Sequence, residues 1–371
     1  MKPLVDEIRS AAHDEGFADV GVTPAVDSQG FSSLVQWIEH GYAGQMRYFA
    51  ERLDAYRHPR GVLPGSKSII ALSYPYPRPP RRDCPVGHGR AARYTMIDDD
   101  YHDIIHPKLK RLCRHITQSC PDARARGIVD TAPLMEREVA ELAGLGWRGK
   151  NTLLLNRLAG SYFFLACILV DVVLPYDTRE STAHCGVCTA CLDACPTDAF
   201  VQPHVLDATR CISYWTIESR ELPPVAIRSN FGDWWFGCDV CQEVCPWNRK
   251  PTRGYLESDP SVSPESSAEL LSLFELDENE FRSRFRKTPM WRSKRGGLLR
   301  NAAIVLGNQR DISAIPSLLM GLNDSEAVVR AASAWALQRM PTPQSRAALG
   351  RRFAIETDPM VLTELARDEP S

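Results

Sequence analysis

The stretch Cys185-Gly-Val-Cys188-Thr-Ala-Cys191-Leu-Asp-Ala-Cys195-Pro196 has the spacing C-x2-C-x2-C-x3-C-P. Three thiolates on one tight loop suit three irons of a cubane, and the fourth is thrown forward to another cluster. A second block should therefore follow. Cys238-x2-Cys241-x3-Cys245-Pro246 supplies the later part of the pattern, with the expected first cysteine displaced upstream to Cys211. The crossed rule for two-cluster proteins assigns Cys185, Cys188, Cys191 and Cys245 to one [4Fe–4S] cluster. Cys195, Cys211, Cys238 and Cys241 then hold the other. A zinc site would need only four thiolates and has no use for the x3-Cys-Pro step. A disulfide framework is disfavoured, because Met1 to Asp6 does not read as a secretory signal.

With 371 residues the chain has room for two or three domains. Hydrophobic and charged contents of 44% and 24% are those of a soluble protein, and Asp171 breaks the apolar run from Tyr162 to Leu174. No membrane partner is expected, and the reading is of a cytoplasmic monomer. A formal net charge of −2 requires that any nucleic acid be met by a local patch. The remaining cysteines, Cys84, Cys113, Cys120 and Cys167, read as reduced and structural.

Before the cysteine blocks, strands and helices alternate. Lys2 to Gly16 reads as an amphipathic helix and Phe17 to Thr23 as a strand. Phe31 to Ala55 reads as a helix, Ser68 to Tyr74 as a buried strand, and Pro75 to Gly89 as a loop. Asp103 to Cys120 is helical and Gly127 to Asp130 a short strand. Leu134 to Leu142 follows as a helix with Pro133 in its first turn, and Gly160 to Leu174 supplies one or two strands. The alternation predicts an α/β or α+β domain. Pro251 to Ser267 reads as a linker. Beyond it, Arg300–Gly307 and Arg330–Leu337 are similar segments thirty residues apart. Ala314–Leu322 between them resembles the other half of a HEAT-type helical pair.

Other motifs have bland readings beside sharp ones. Gly144-Leu-Gly146-Trp-Arg-Gly149-Lys150-Asn151 matches G-x-G-x-x-G, and nearly G-x4-G-K-[ST], by letter. It follows a helix rather than a strand, so nucleotide binding is disfavoured; glycines hugging some other large cofactor remain open. Asp130 reads either as a helix cap or as an acid at the carboxyl end of a strand, where α/β sheets place their sites. Glu136, Arg137 and Glu138 read as a solvated helix face. Phe281 to Arg300 holds Arg282, Arg284, Arg286, Lys287, Arg292, Lys294, Arg295 and Arg300 with no acidic residue, which favours a phosphate backbone over a plain solvated surface.

Several blocks together resemble the epoxyqueuosine reductase family. They are Val129 to Glu138, Ala143 to Asn151, the two cysteine blocks, Cys211 to Thr216, Gly237 to Asn248 and Gly296 to Asn301. The family's usual Tyr-x2-Gly-x-Asp-Tyr-His segment is longer here, Tyr94 to His102, and has no glycine. The resemblance implies an α+β multi-domain fold. A nitroreductase-like cobalamin-binding domain would span residues 1–178, a ferredoxin-like two-cluster domain 179–250, and a HEAT-like α-helical domain with a tRNA-binding segment 251–371. It also implies reduction of epoxyqueuosine at the tRNA wobble position by cobalamin charged to Co(I) by two [4Fe–4S] clusters, served by a flavodoxin- or ferredoxin-type electron donor. Asp130 would be the proton donor. Arg57, Asp130, Lys150, Asn151, Ser213 and Asp239 would lie near the corrin, and Arg292, Lys294, Arg295 and Arg300 would meet the tRNA. Rival readings are a reductive dehalogenase-like enzyme acting on a small molecule, a plain ferredoxin, and an RNA-binding module with structural clusters.

Overall fold

The computed structural model describes residues 1–78, 83–97, 99–179, 184–249 and 267–367. Helix Lys2–Asp14 buries Leu4, Val5, Ile8 and Ala12 at helical spacing. They pack on a four-stranded sheet whose order is Asp19–Pro24, Ser68–Pro75, Phe163–Val170, Ala125–Ile128. The two central strands read as unbroken apolar runs because each pleat is covered. Ile70, Leu72, Ile168 and Val170 join the helix Lys2–Asp14 core, while Ile69, Ala71, Cys167 and Leu169 join a core with Val139 and Ala140.

All three pairings in this sheet are antiparallel. The alternation of strand and helix left α/β and α+β open, and the antiparallel ladder settles it as α+β. Two local readings also change. The helix expected over Phe31–Ala55 ends at Glu39, and Tyr48–Glu51 and Leu53–Arg57 follow as separate turns. The helix expected from Leu134 begins at Glu136 with Met135 as its N-cap, so Pro133 lies outside it.

A second sheet joins distant parts of the chain. His88–Ala91, in a stretch read mostly as loop, pairs in parallel with Trp234–Phe236 and antiparallel with Ser267–Glu269. The expected linker lies outside the described residues except for Ser267, which opens that last strand. The core beneath is continuous: Trp215, Trp235 and Phe236 of the cysteine-bearing region pack with Leu298, Leu299 and Val305 of the helical region.

That helical region contains Lys294–Gln309, Ile315–Gly321, Ala327–Gln338, Pro343–Ile355 and Pro359–Leu365. The first and third helices approach closely at Gly307, where an added Cβ would come within 2.8 Å of the Trp335 ring. Arg330 and Arg352 both pair with the Glu356 carboxylate, whose side chain is 1% exposed. The Arg330 hydrogen bond holds that carboxyl far below its usual range. No helix among the described residues is long and apolar enough to cross a membrane.

Candidate functional site

The chain folds the last cysteine of the second block back onto the first. Burial pushes the Cys191 thiol up to about 11, and Cys245, Cys185 and Cys188 are the thiols that add to the rise. Burial likewise raises Cys245, with Cys185 and Cys188 as its like-charged neighbours. A separate group forms around the second block. Cys238 is raised by burial and by Cys211 and Cys241, and Cys211 by burial and by Cys195. Buried thiols that repel one another as they ionise need cations between them.

Among the described residues no group of three His, Cys, Asp or Glu side chains could hold a single metal ion. A four-iron cube takes one thiolate at each iron, and each of the two cysteine groups offers a set of four. The buried Trp147 indole N–H, unpartnered within the protein, belongs to the small core formed with Cys245, Cys185 and Trp247. It is a donor of the kind cluster sulfurs accept.

Two adjoining cavities of about 880 Å³ each open beside the second group. Their shared wall includes Tyr48, Asp130, Glu136, Arg137, Glu218 and Arg292. One chamber is walled by the rings of Tyr76, Tyr94, Tyr101, Phe163 and Phe164, and Ser213 and Gln242 face it. Gln242 directly follows Cys241 in sequence, so this chamber abuts the second thiol group. The size and aromatic lining suit a large planar cofactor, with space beside it for a substrate.

Asp130 lies two residues beyond strand Ala125–Ile128 and adopts φ 49°, a left-handed conformation that aspartate tolerates. Its Oδ2 accepts the Tyr101 hydroxyl at 2.8 Å, and its backbone N–H donates to Glu136 Oε1 at 3.0 Å. Tyr101 is stacked on Phe164 at 4.3 Å and on His102 at 4.1 Å. Burial raises its phenol, and Asp130 raises it further. Burial and then Asp130 push the Glu136 carboxyl up to about 8. The residues read as a solvated face are therefore site residues. Glu138, also buried, accepts the Gln29 and Gly30 N–H groups at 2.6 and 2.8 Å, at the start of helix Phe31–Glu39.

Of the residues expected near the corrin, Asp130 and Ser213 face the cavities. The others make contacts within the protein. Lys150 Nζ donates to the carbonyls of Gly186 and Cys188 at 2.8 and 2.9 Å, clamping the first cysteine loop. Asn151, buried, donates to the Cys241 carbonyl at 3.3 Å. Asp239, 2% exposed, accepts the Arg93 backbone N–H at 2.8 Å, and the Arg93 guanidinium reaches Glu243 at 2.6 Å. Arg57 lies over the Phe31 ring at 4.5 Å. The glycine-rich segment is no phosphate cradle but a tight hairpin, Trp147–Arg148 with Leu154–Leu155. A Cβ at Gly146 would collide with the Leu155 carbonyl at 2.0 Å.

The basic segment divides. Arg282, Arg284, Arg286, Lys287, Arg292 and Lys294 are exposed. Arg292 nonetheless makes a bidentate pair with Glu218, at 2.6 and 2.8 Å. Arg295 and Arg300, expected to meet tRNA, turn inward. Arg295 pairs with Asp324 at 2.6 Å, and Arg300 is 0% exposed and donates to backbone carbonyls. The carboxylates that compensate this segment come from other parts of the chain, which is why its own sequence shows none.

Residues 184–248 match the family described as 4Fe-4S double cluster binding domain, residues 57–131 that described as Epoxyqueuosine reductase QueG, DUF1730, and residues 293–367 HEAT repeats. An epoxyqueuosine reductase from Pseudomonas aeruginosa is 40% identical over 343 residues, 91% of this chain and 94% of that one. One from Escherichia coli is 37% identical, covering 83% of this chain and 82% of that one. A crystal structure of epoxyqueuosine reductase with a tRNA-Tyr epoxyqueuosine-modified stem loop matches at a TM-score of 0.88 and 30% identity. It covers 98% of this chain and 97% of that one. The enzyme from Bacillus subtilis with its catalytic aspartate loop swung out of the active site matches at 0.87 and 29%, with the same coverage.

The raised Glu136 carboxyl has a thermodynamic signature. The folded protein holds that proton above the ordinary value of 4.5, so the stability it contributes is present below pH 4.5 and is lost as pH rises through about 8. Glu136→Gln cannot ionise. Thermal midpoints measured across this window should fall less steeply for the variant than for the wild type; parallel curves would show that Glu136 is not the titrating group.

Proposed function

The chain belongs to the epoxyqueuosine reductase family, and on that footing we propose that it reduces the epoxide of epoxyqueuosine in tRNA, giving queuosine and water. The reaction takes up two electrons and two protons, and the epoxide oxygen leaves as water. One observation carries this reading: two interleaved thiol groups abut an aromatic-walled double cavity whose shared wall presents Asp130.

The groups around Cys191 and around Cys241 would each hold a [4Fe–4S] cluster, which supplies electrons one at a time. Cys188 is exposed, and Val187 beside it is 99% exposed, so this end suits an external flavodoxin- or ferredoxin-type donor. The Cys241 end abuts the cavity. Cobalamin fits the chamber walled by Tyr76, Tyr94, Tyr101, Phe163 and Phe164, with Ser213 beside it, and when bound supplies a low-valent cobalt nucleophile for the epoxide.

The protein's own part is proton delivery and orientation. The Tyr101 hydroxyl occupies Asp130 Oδ2, which leaves Oδ1 as the atom that carries the transferable proton. Once the proton has gone, the Tyr101 hydrogen bond and the nearby cations Arg137 and Arg292 stabilise the carboxylate. The capping reading of Asp130 is set aside, because helix Glu136–Leu142 is N-capped by Met135. Arg292 and Lys294 at the cavity wall, with the exposed cations before them, would receive the tRNA phosphates. The protein would work as a cytoplasmic monomer.

Mass analysis of nucleosides from tRNA treated with the reduced, reconstituted protein tests the reaction directly: epoxyqueuosine should disappear as queuosine accumulates, and an unchanged nucleoside pool would overturn the reading. In the same assay Asp130→Asn should lose about 10²–10⁴-fold in turnover while still binding cobalamin and tRNA. A loss of only a few-fold would remove Asp130 from the acid's role. Cys245→Ala should spoil the spectroscopic signal of the cluster held by Cys185, Cys188 and Cys191 and spare the other; damage to the other alone would reverse the assignment. Neutralising Arg292 and Lys294 together should weaken tRNA binding and lower its salt slope by roughly one unit per lost phosphate contact. Unchanged affinity at physiological salt would move the RNA contact elsewhere.

A further inference from the structure

The buried pair Arg300–Asn301 closes the family-like Gly296-Gly-Leu-Leu-Arg-Asn301 block, and nothing in the reaction above uses it. Arg300 is 0% exposed, and none of its hydrogen-bond partners is a carboxylate. Nη1 donates to the carbonyls of Ser219 and Glu221 at 3.0 and 2.6 Å, and Nη2 to that of Trp215. Nε and Nη2 both reach Asn301 Oδ1, at 2.9 and 2.8 Å. Asn301 Nδ2 and Ser293 Oγ then donate to the Thr216 carbonyl at 2.9 and 2.7 Å. These acceptors are the carbonyl end of helix Ile212–Ile217 and the turn that follows it. Such carbonyls lack partners within the helix and carry its partial negative charge. Burial lowers Arg300 only to about 9, so it remains a cation at neutral pH.

The helix so held bears on both halves of the site. Cys211 is its N-cap, while Ser213 and Ile217 on it, and Glu218 just after it, line the aromatic chamber. The Thr216 hydroxyl accepts the backbone N–H of Gly237 at 2.9 Å, and Gly237 directly precedes Cys238. One hydrogen-bonded chain thus runs from the helical region, through this helix, to two thiols of the second group and to the cavity wall.

We propose that Arg300 and Asn301 are positioning residues that lock helix Ile212–Ile217 so that the Cys211 and Cys238 thiols and the chamber wall hold a fixed mutual geometry. This rests on the reading that Cys195, Cys211, Cys238 and Cys241 hold a cluster. The fork of guanidinium donors is what the carbonyl cluster needs, since a lysine ammonium could neutralise the helix end but could not span Trp215, Ser219, Glu221 and Asn301 together. The helical region then serves the redox centre from within the fold.

The test uses full-length reconstituted protein carrying Arg300→Lys or Thr216→Val, the latter removing the hydroxyl that receives Gly237 and donates to the Ile212 carbonyl of the same helix. Glu356→Gln, which weakens the helical region at the pairs with Arg330 and Arg352, serves as the control. Iron content, low-temperature electron paramagnetic resonance, cluster potentials, melting temperature and turnover are measured together. Thr216→Val should alter the resonance and potential of one cluster only and lower turnover by about 10–100-fold, and Arg300→Lys should alter the signal of that same cluster. The control should melt earlier with both signals unchanged. Wild-type signals and turnover in Thr216→Val would overturn the proposal, even if Arg300→Lys does not fold. A wild-type protein that takes up a single cluster would instead overturn the cluster reading on which it rests.

Discussion

Thiols crowded into a buried space repel one another as they ionise, and burial makes each ionisation harder still. These thiols therefore keep their protons at neutral pH until irons displace them, and the fold has to hold two cysteine loops in place for that exchange. Much of the polar structure around them does so. Lys150 clamps the Gly186 and Cys188 carbonyls, Asn151 holds Cys241, and Arg93 ties Glu243 between Cys241 and Cys245. Asn248, fully buried, accepts the Ser161 backbone N–H at 2.8 Å and so joins the end of the second block to the chamber wall. None of these contacts touches a substrate, yet each fixes where a thiol stands relative to the cavity.

Charge at the cavity follows the same logic of compensation by neighbours. Asp130 and Glu136 are two acids in one wall, and ionising both sets like charges beside each other. Burial and the neighbouring Asp130 both favour the protonated form of Glu136, which avoids that second charge. A proton is thereby held on Glu136 beside the donor, and the Tyr101 hydroxyl and Arg137 stand ready for the carboxylate that donation leaves on Asp130. The left-handed backbone at Asp130 is held by the Glu136 bond, so the conformation of the donor depends on its neighbour.

What could be read from the sequence was what local covalent spacing determines. The cysteine blocks are legible because a cubane constrains residues a few positions apart. The central strands were legible as apolar runs, and the repeated helical segments by their thirty-residue offset. The sheet's direction was not, because antiparallel pairing depends on which distant strands meet. Asp130 was placed near a strand end by a rule for parallel sheets, although its strand pairs antiparallel. Glu136 and Glu138 looked solvated because their partners, the Asp130 backbone and the Gln29–Gly30 turn, are invisible to helical periodicity. Lys150 and Asn151 carried family-level expectations toward a corrin, while their hydrogen bonds go to the cysteine loops.

The basic segment shows why a count of like charges is a poor measure of a binding surface. A cation without a carboxylate nearby in sequence can still be satisfied by a carboxylate from elsewhere, as Arg295 is by Asp324, or by carbonyl dipoles alone, as Arg300 is. Arg300 meets no acid, and burial still lowers it to about 9, so the helix-end carbonyls offset only part of its desolvation. Removing such a residue would unsettle the thiols rather than the RNA. The exposed cations run from helix Glu278–Phe285 to Lys294, while the two inward ones stand within helix Lys294–Gln309. The inward pair is taken up by the protein's own carboxylates and carbonyls, so any phosphate contact falls to the cations that stay exposed.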